Sequence, residues 1–335
     1  MAAELERIER ALRDAVVSDD PYLTEIASHL IGAGGKRLRP ALAVTAGACA
    51  DPAGAVSSDV VMGGVSVELV HLGSLYHDDV IDEAQTRRGV ESVNARWGNL
   101  RAILAGDFLL AKASEIAATL GTEVAGLLAA TIGRLCEGEV RELRTVFDRS
   151  RTEAQYLAAI EGKTASLFSA ACRIGALVAG LGPAEVEALT LYGSRLGMAF
   201  QVVDDILDVV ASEDDLGKPA GHDLAEGVYT FPVLRALRSP VEGPELAELL
   251  GRPLEQVDVD RARALVRSGA GVRDAVALAG AYCAEATVAL AVLDPSPAVE
   301  QLVATASGLL ASVPTGEDRP GRPVRSTRAS GSGTG

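Results

Sequence analysis

Apolar side chains recur at intervals of three and four along most of the chain. Leu127, Leu128, Ile132, Leu135 and Val140, with Arg134, Glu137, Glu139 and Arg141 between them, are a sample, and that period belongs to amphipathic helices. Alternation at period two bounded by hairpin signals is hard to find, which argues against sheet. Breaks at Asp51-Pro52, Gly182-Pro183, Gly243-Pro244 and Asp294-Pro295 each read as the stop of one helix and the restart of another. The pattern predicts an all-α bundle of about ten or more helices joined by connections of ordinary length.

Nothing divides the chain by composition, so residues 1–311 are expected to form one domain. Two segments stand out from it. Residues 211–232 (ASEDDLGKPAGHDLAEGVYTFP) are dense in Gly, Pro and Asp and suit a long mobile loop, a candidate lid. Residues 312–335 lose nearly all large apolar side chains and read as a disordered polar tail, whose four arginines suggest at most peripheral membrane contact.

Charge narrows the function. Thirty-one basic against 46 acidic side chains leave a net −15, so the chain is not expected to bind nucleic acid, and an anionic ligand would need metal ions beside it. Cys49, Cys136, Cys172 and Cys283 form no C-x-x-C pair and read as small buried side chains in a reducing compartment. The N-terminal stretch lacks the apolar run of a signal peptide, and the apolar run 165–182 is interrupted by Arg173. A cytoplasmic location is expected.

The chemistry lies in a repeated motif. Asp78-Asp79-Val80-Ile81-Asp82 and Asp204-Asp205-Ile206-Leu207-Asp208 each place acids at i, i+1 and i+4 within an apolar helical pattern. The first and last acid of each lie on one face about a turn apart, a like-charge spacing that weakens a bare helix. Six carboxylates facing one cavity cannot persist uncompensated in a low dielectric. Hard divalent cations resolve this, and oxygen ligands with room for water and phosphate select Mg²⁺, about three of which would balance six aspartates. Basic clusters accompany the acids: Gly34-Gly35-Lys36-Arg37-Leu38-Arg39-Pro40, Arg87-Arg88-Gly89, Gly162-Lys163-Thr164 and Gly217-Lys218-Pro219. None has the spacing of a nucleotide P-loop.

Taken together, the sequence resembles the trans-polyprenyl diphosphate synthases. The matching blocks run in that family's order: GGKRLRP (34–40), ELVHLGSLYHDDVIDEAQTRRG (68–89), ARWGNLRAILAGDFLL (95–110), GKTASLF (162–168), FQVVDDILD (200–208) and LGKPAGHDL (216–224). The resemblance implies an all-α bundle around a deep central cavity, usually paired into a homodimer. It also implies a prenyltransferase that joins isopentenyl diphosphate head to tail onto an allylic diphosphate. By the same resemblance Asp78, Asp82, Asp204, Asp205 and Asp208 are Mg²⁺ ligands, with Asp79 less directly placed. Arg87, Lys163, Thr164, Gln201 and Lys218 contact the allylic diphosphate, and Lys36, Arg39, His71 and Arg88 form the isopentenyl diphosphate site.

The metal and cations would stabilise the departing diphosphate, the resulting allylic cation would be attacked by the isopentenyl double bond, and water would be kept out. Val70, Gly73 and Ser66 lie on one stripe of the helix leading into the first motif. Gly73 and Ser74 stand where short-chain members carry aromatic plugs, so the expected product is a trans-polyprenyl diphosphate of six to ten isoprene units; a geranylgeranyl-type synthase is the alternative. Gly73 also has a second reading, as a site of close helix approach. A terpene cyclase is disfavoured because the second motif is a full D-D-x-x-D, and an accessory subunit because both motifs are intact. One departure is Val228, where many relatives place a lysine.

Overall fold

The protein is described here by a computed structural model covering residues 2–51, 56–211 and 220–313. Helices dominate it. Helix α1 (Ala2–Ala15), α2 (Pro21–Gly32) and α3 (Leu38–Gly47) lead to the long α4 (Ser58–Ile81). Ser57 starts α4 by accepting the Val60 N–H at 3.3 Å, one of the donors that a helix start leaves without a partner. Val60, Val65, Val67, Leu69, Val70 and Leu72 are all buried, so α4 is enclosed on every side. It packs on α3, on α6 (Asn99–Thr119) and on α9 (Ser166–Val178), with the short α5 (Val93–Trp97) between α4 and α6 in sequence. The β-branched residues of α4 are mediocre helix formers, and enclosure outweighs their propensity.

Helix α7 (Thr122–Leu143) follows, then α8 (Glu153–Ile160), which opens on a capping box between Thr152 and Gln155. Residues Glu161–Ala165 form one π-helical turn that runs directly into α9. The second long helix, α10 (Pro183–Val210), starts as its Gly-Pro signal predicts, with the Glu185 carboxylate accepting the Gly182 N–H at 2.7 Å. The remaining helices are α11 (His222–Glu226), α12 (Phe231–Leu237), α13 (Gly243–Leu249), α14 (Gln256–Ser268), α15 (Gly271–Ala289) and α16 (Pro297–Ala311). Gly271–Val292 is long and apolar enough to cross a membrane, with a mean hydropathy of 1.7. In this fold it packs along α10.

Three apolar clusters hold the bundle. One surrounds α4, a second joins Met198, Val202 and Ile206 of α10 to Leu234 and Val266, and a third joins Phe168, Tyr192 and Leu196 to Leu302. The four cysteines are free thiols; Cys172 and Cys283 are buried as expected, Cys49 is half-buried and Cys136 is exposed, and burial raises the thiols of Cys49, Cys172 and Cys283.

Two local features differ from the sequence expectation. Thr86–Arg87 and Val90–Glu91 form a small antiparallel hairpin, Thr86 opposite Glu91, turning through Arg88 (φ 54°) and Gly89 (φ 75°). Positive φ at both central residues is the hairpin turn that matches strand twist, but two-residue strands leave no alternation to read. Of the segment 211–232, expected as a loop, residues 222–226 form the helical turn α11 and 231–232 open α12; residues 212–219 lie outside the described residues, as do 314–335 of the polar tail.

Candidate active site

The C-terminal ends of α4 and α10 open on one cavity of about 460 Å³. Asp78 and Asp82 reach it from α4, Asp204 and Asp205 from α10, and Arg87, Lys163 and Gln201 share the lining. Residues far apart in sequence thus share the lining of one cavity. Burial pushes the Asp78 carboxyl up to about 7; Lys163 opposes the shift, while Glu139 and Asp82 reinforce it. Asp82 is also raised, by burial and then by Glu226. These acids are under-compensated by the side chains around them. Among the described residues no three His, Cys, Asp or Glu groups already converge on one point, so the two acid ends face each other across open space. Hard carboxylate oxygens with room between them fit divalent cations that also take water and phosphate oxygens.

Lys163 is positioned by the π-helical turn. Its ammonium donates to Glu142 Oε1 at 2.6 Å and lies 2.7 Å from Glu139 Oε2; both acids belong to α7 and line the cavity. Its pKa is raised: burial opposes, and the two glutamates prevail. Gly138 and Gly162 allow this pairing. A Cβ on Gly138 would stand 2.3 Å from the Lys163 backbone nitrogen, and one on Gly162 would stand 2.8 Å from the Arg134 carbonyl. In the sequence Glu139 is a polar spacer on a helix face and Glu142 carries no signal. Only the crossing of α7 over the π turn reveals both.

The acids within each motif diverge. Asp79 is fully buried and takes the Arg87 guanidinium at 2.6 Å, which holds the hairpin against α4. Asp205 accepts from the Tyr156 hydroxyl at 2.5 Å and from Gln201 Nε2 at 2.8 Å, and Thr164 in turn donates to Gln201 Oε1 at 2.7 Å. Burial raises the Asp205 carboxyl to about 7, while the bonds from Tyr156 and Gln201 oppose the rise. Asp208 accepts the backbone N–H groups of His222 at 3.2 Å and Asp223 at 3.3 Å, capping α11. The expectation that all six acids face one cavity is corrected in part: Asp78, Asp82, Asp204 and Asp205 line it, whereas Asp79 and Asp208 do not. Asp79, Asp205 and Asp208 carry protein hydrogen bonds because neighbouring elements present donors to them, and Asp204 is the exposed acid of the second motif.

Arg39, His71 and Arg88 gather around Glu68, one turn and more back along α4; His71 lies about 10 Å before Asp78 at 1.5 Å per residue. Buried Glu68 pairs with Arg37 at 3.0 Å, and Arg37 is a left-handed residue (φ 46°) that also reaches Glu9 at 2.6 Å. The guanidinium of Arg39 lies over the Phe168 ring at 4.9 Å, its Nε has no hydrogen-bond partner among the described residues, and burial lowers its pKa to about 10. His71 is held neutral, far below the ordinary imidazole range, by burial and then by Arg39 and Arg88. Arg88 is tied to the Leu30 and Gly34 carbonyls. Lys36 is exposed beside them, and Lys218 falls outside the described residues. The sequence places Arg37 in a basic cluster but does not show that it pairs with Glu68; an acid inside the apolar run Val65–Val70 is the available signal.

Along α4, Val70 is fully buried, and Gly73 packs on α6, where a Cβ would meet the Gly106 carbonyl at 3.0 Å. This is the close-approach reading of Gly73. Ser74 is half-buried and bonds its own helix at His71 O.

A family model described as polyprenyl synthetase matches residues 20–266. The chain is 39% identical over 306 residues to the nonaprenyl diphosphate synthase of Mycobacterium tuberculosis, covering 90% of each protein. It superposes with a TM-score of 0.88 and 36% identity on the polyprenyl synthase of Caulobacter crescentus, covering 93% of this chain and 96% of that one. The geranylgeranyl pyrophosphate synthase of Corynebacterium glutamicum gives 0.81 and 37%, with coverage of 93% and 96%. Both of those structures are complexes with calcium and isoprenyl diphosphate, so divalent metal ions accompany this fold.

Proposed function

The chain belongs to the polyprenyl synthetase family and is a trans-polyprenyl diphosphate synthase, and on that premise we propose that it extends an allylic diphosphate with isopentenyl diphosphate to six to ten isoprene units, using about three Mg²⁺ ions. One observation carries the site assignment: Asp78 and Asp82 face Asp204 across a cavity that Lys163, Arg87 and Gln201 also line. Asp78, Asp82 and Asp204 would hold the metal. Bound there, it would neutralise the diphosphate and stabilise its departure. Lys163, and Lys218 from beyond the described residues, would meet the same leaving group.

Asp205 and Asp208 act one step back. Asp205 ties Tyr156, Gln201 and Thr164 to α10, and Asp208 ties α11 to it, so both order the walls of the cavity. Isopentenyl diphosphate would dock at Lys36, Arg39, His71 and Arg88, with neutral His71 as a hydrogen-bonding group. The bonds made and broken are then simple. The allylic C–O bond ionises, the isopentenyl double bond forms the new C–C bond, and a proton leaves to the released diphosphate. Enclosure keeps water from the cation, and α11 with the segment after it forms part of that wall.

The small, half-buried side chain of Ser74 supports growth of the tail past α4, while Gly73 is filled by the close approach of α6. Exposed Leu100, Ile103 and Leu104 give α6 an apolar outer face suited to a second copy, the basis for proposing a homodimer. A cytoplasmic location is proposed from the acidic, reduced-thiol character of the chain.

The test is a product assay: purified protein, isopentenyl diphosphate, primers from dimethylallyl to geranylgeranyl diphosphate, Mg²⁺ and chelator controls, with mass spectrometry of the chains. Metal-dependent products of about 30 to 50 carbons are expected. A C20 product would retain the chemistry and reject the open path beside Ser74. Diphosphate release without elongation would reject the transferase assignment.

A further inference from the structure

We infer that Glu139 and Glu142 are positioning residues that hold Lys163 as a masked anion ligand, so that the site accepts a metal-bound diphosphate and discriminates against the metal-free anion. The inference rests on the proposed diphosphate site and goes beyond it. Lys163 is not poised as an open cation. Its ammonium stands within 2.7 Å of both carboxylates, which lie at i and i+3 on one face of α7, and all three side chains line the cavity with Asp78 and Asp204.

The arrangement is built in from several sides. The backbone of the π turn touches α7 through Gly138 and Gly162, leaving no freedom to slide. Glu142 is steadied by Arg151, a buried guanidinium 4.0 Å away whose Nη1 donates to the Tyr229 carbonyl at 3.0 Å. The more exposed and flexible partner is Lys163, so the lysine is the group free to turn toward a ligand.

The electrostatics follow from the count of charges. The ammonium between two carboxylates, with Arg151 4.0 Å from Glu142, leaves no net positive charge at the lysine, and Asp78, Asp82 and Asp204 stand across the same space. A bare diphosphate entering there is repelled and finds its lysine occupied. With divalent cations on the aspartates the repulsion is cancelled, and Lys163 can exchange a carboxylate for a phosphate oxygen without leaving its place.

Titration calorimetry with inorganic pyrophosphate tests this, with and without Mg²⁺, on the wild-type chain, E139Q/E142Q, K163M and the triple variant. Thermal melting serves as the fold control, and E139Q alone is the fallback if the double variant does not fold. The double variant is expected to bind metal-free pyrophosphate at least about ten-fold more tightly than wild type, while Mg²⁺-dependent binding changes much less. K163M should erase the gain. An equal gain in the triple variant would show plain repulsion and overturn the role of the lysine; no gain in the double variant would overturn the inference outright. Absence of Mg²⁺-dependent pyrophosphate binding in the wild-type chain would instead remove the diphosphate site on which it rests.

Discussion

Gly138→Ala adds one methyl group at the crossing that sets Lys163 in place. The new Cβ would stand 2.3 Å from the Lys163 nitrogen and 2.8 Å from both the Ala159 oxygen and the Gly162 carbonyl carbon. All three obstacles are backbone, so no side chain can swing aside. Restoring ordinary contact near 3.4 Å requires α7 and the π turn to part by about 1 Å. Overpacking of this kind costs about 1–3 kcal/mol, and here the upper part of that range applies. Alanine in place of glycine within a helix recovers about 1 kcal/mol. The net loss is then about 1–2 kcal/mol, seen as a drop of roughly 1–3 °C in melting temperature for a chain of this length. The functional effect is larger, because a shift of about 1 Å in a positioned group costs on the order of a hundred-fold in rate. Gly280 in α15 provides the control: a Cβ there meets nothing within 4 Å, so Gly280→Ala should raise stability by about 0.5–1 kcal/mol. Differential scanning fluorimetry and initial rates on both variants decide the matter. A Gly138→Ala protein that melts like Gly280→Ala and turns over at the wild-type rate would refute the reasoning.

Asp78→Ala and Asp204→Ala should each lower turnover by at least about a thousand-fold while the melting temperature stays within a few degrees, since neither acid is part of the apolar packing; near-normal rates in either variant would remove it from the metal site. The pH response without metal has a definite sign. Asp78 and Asp205 are raised to about 7 in the fold, above the unfolded value near 4, so their contribution to stability is full below about pH 4 and is lost as pH climbs to 7. Mg²⁺ should therefore raise the melting temperature more at pH 8 than at pH 6, and equal shifts would contradict the assignment of Asp78. Ser74→Phe places a ring on the half-buried face of α4 and should shorten the product by one or more isoprene units; an unchanged distribution by mass spectrometry would mean the tail runs elsewhere.

Much of the architecture was open to reading from spacing alone, because helices are local structures. The three-and-four period, the Gly-Pro and Ser starts and the enclosed apolar run of α4 all act within a few residues of one another. The acid motifs were legible for the same reason: i and i+4 share a face whatever surrounds the helix, and two such motifs in apolar settings need cations. The small hairpin escaped because its signal is a two-residue turn between Arg87 and Val90. Tertiary structure alone decided which neighbour each acid meets. Asp79 and Asp78 are neighbours in sequence, yet one meets Arg87 and the other the cavity; Asp205 and Asp208 are taken up by Tyr156 and by the start of α11. Pairing Lys163 with Glu139 and Glu142, and burying Glu68 against Arg37, likewise depended on how separate helices cross. Spacing within one helix specifies the direction of a side chain, whereas the charge or donor waiting there belongs to another element, and only packing brings it within 3 Å.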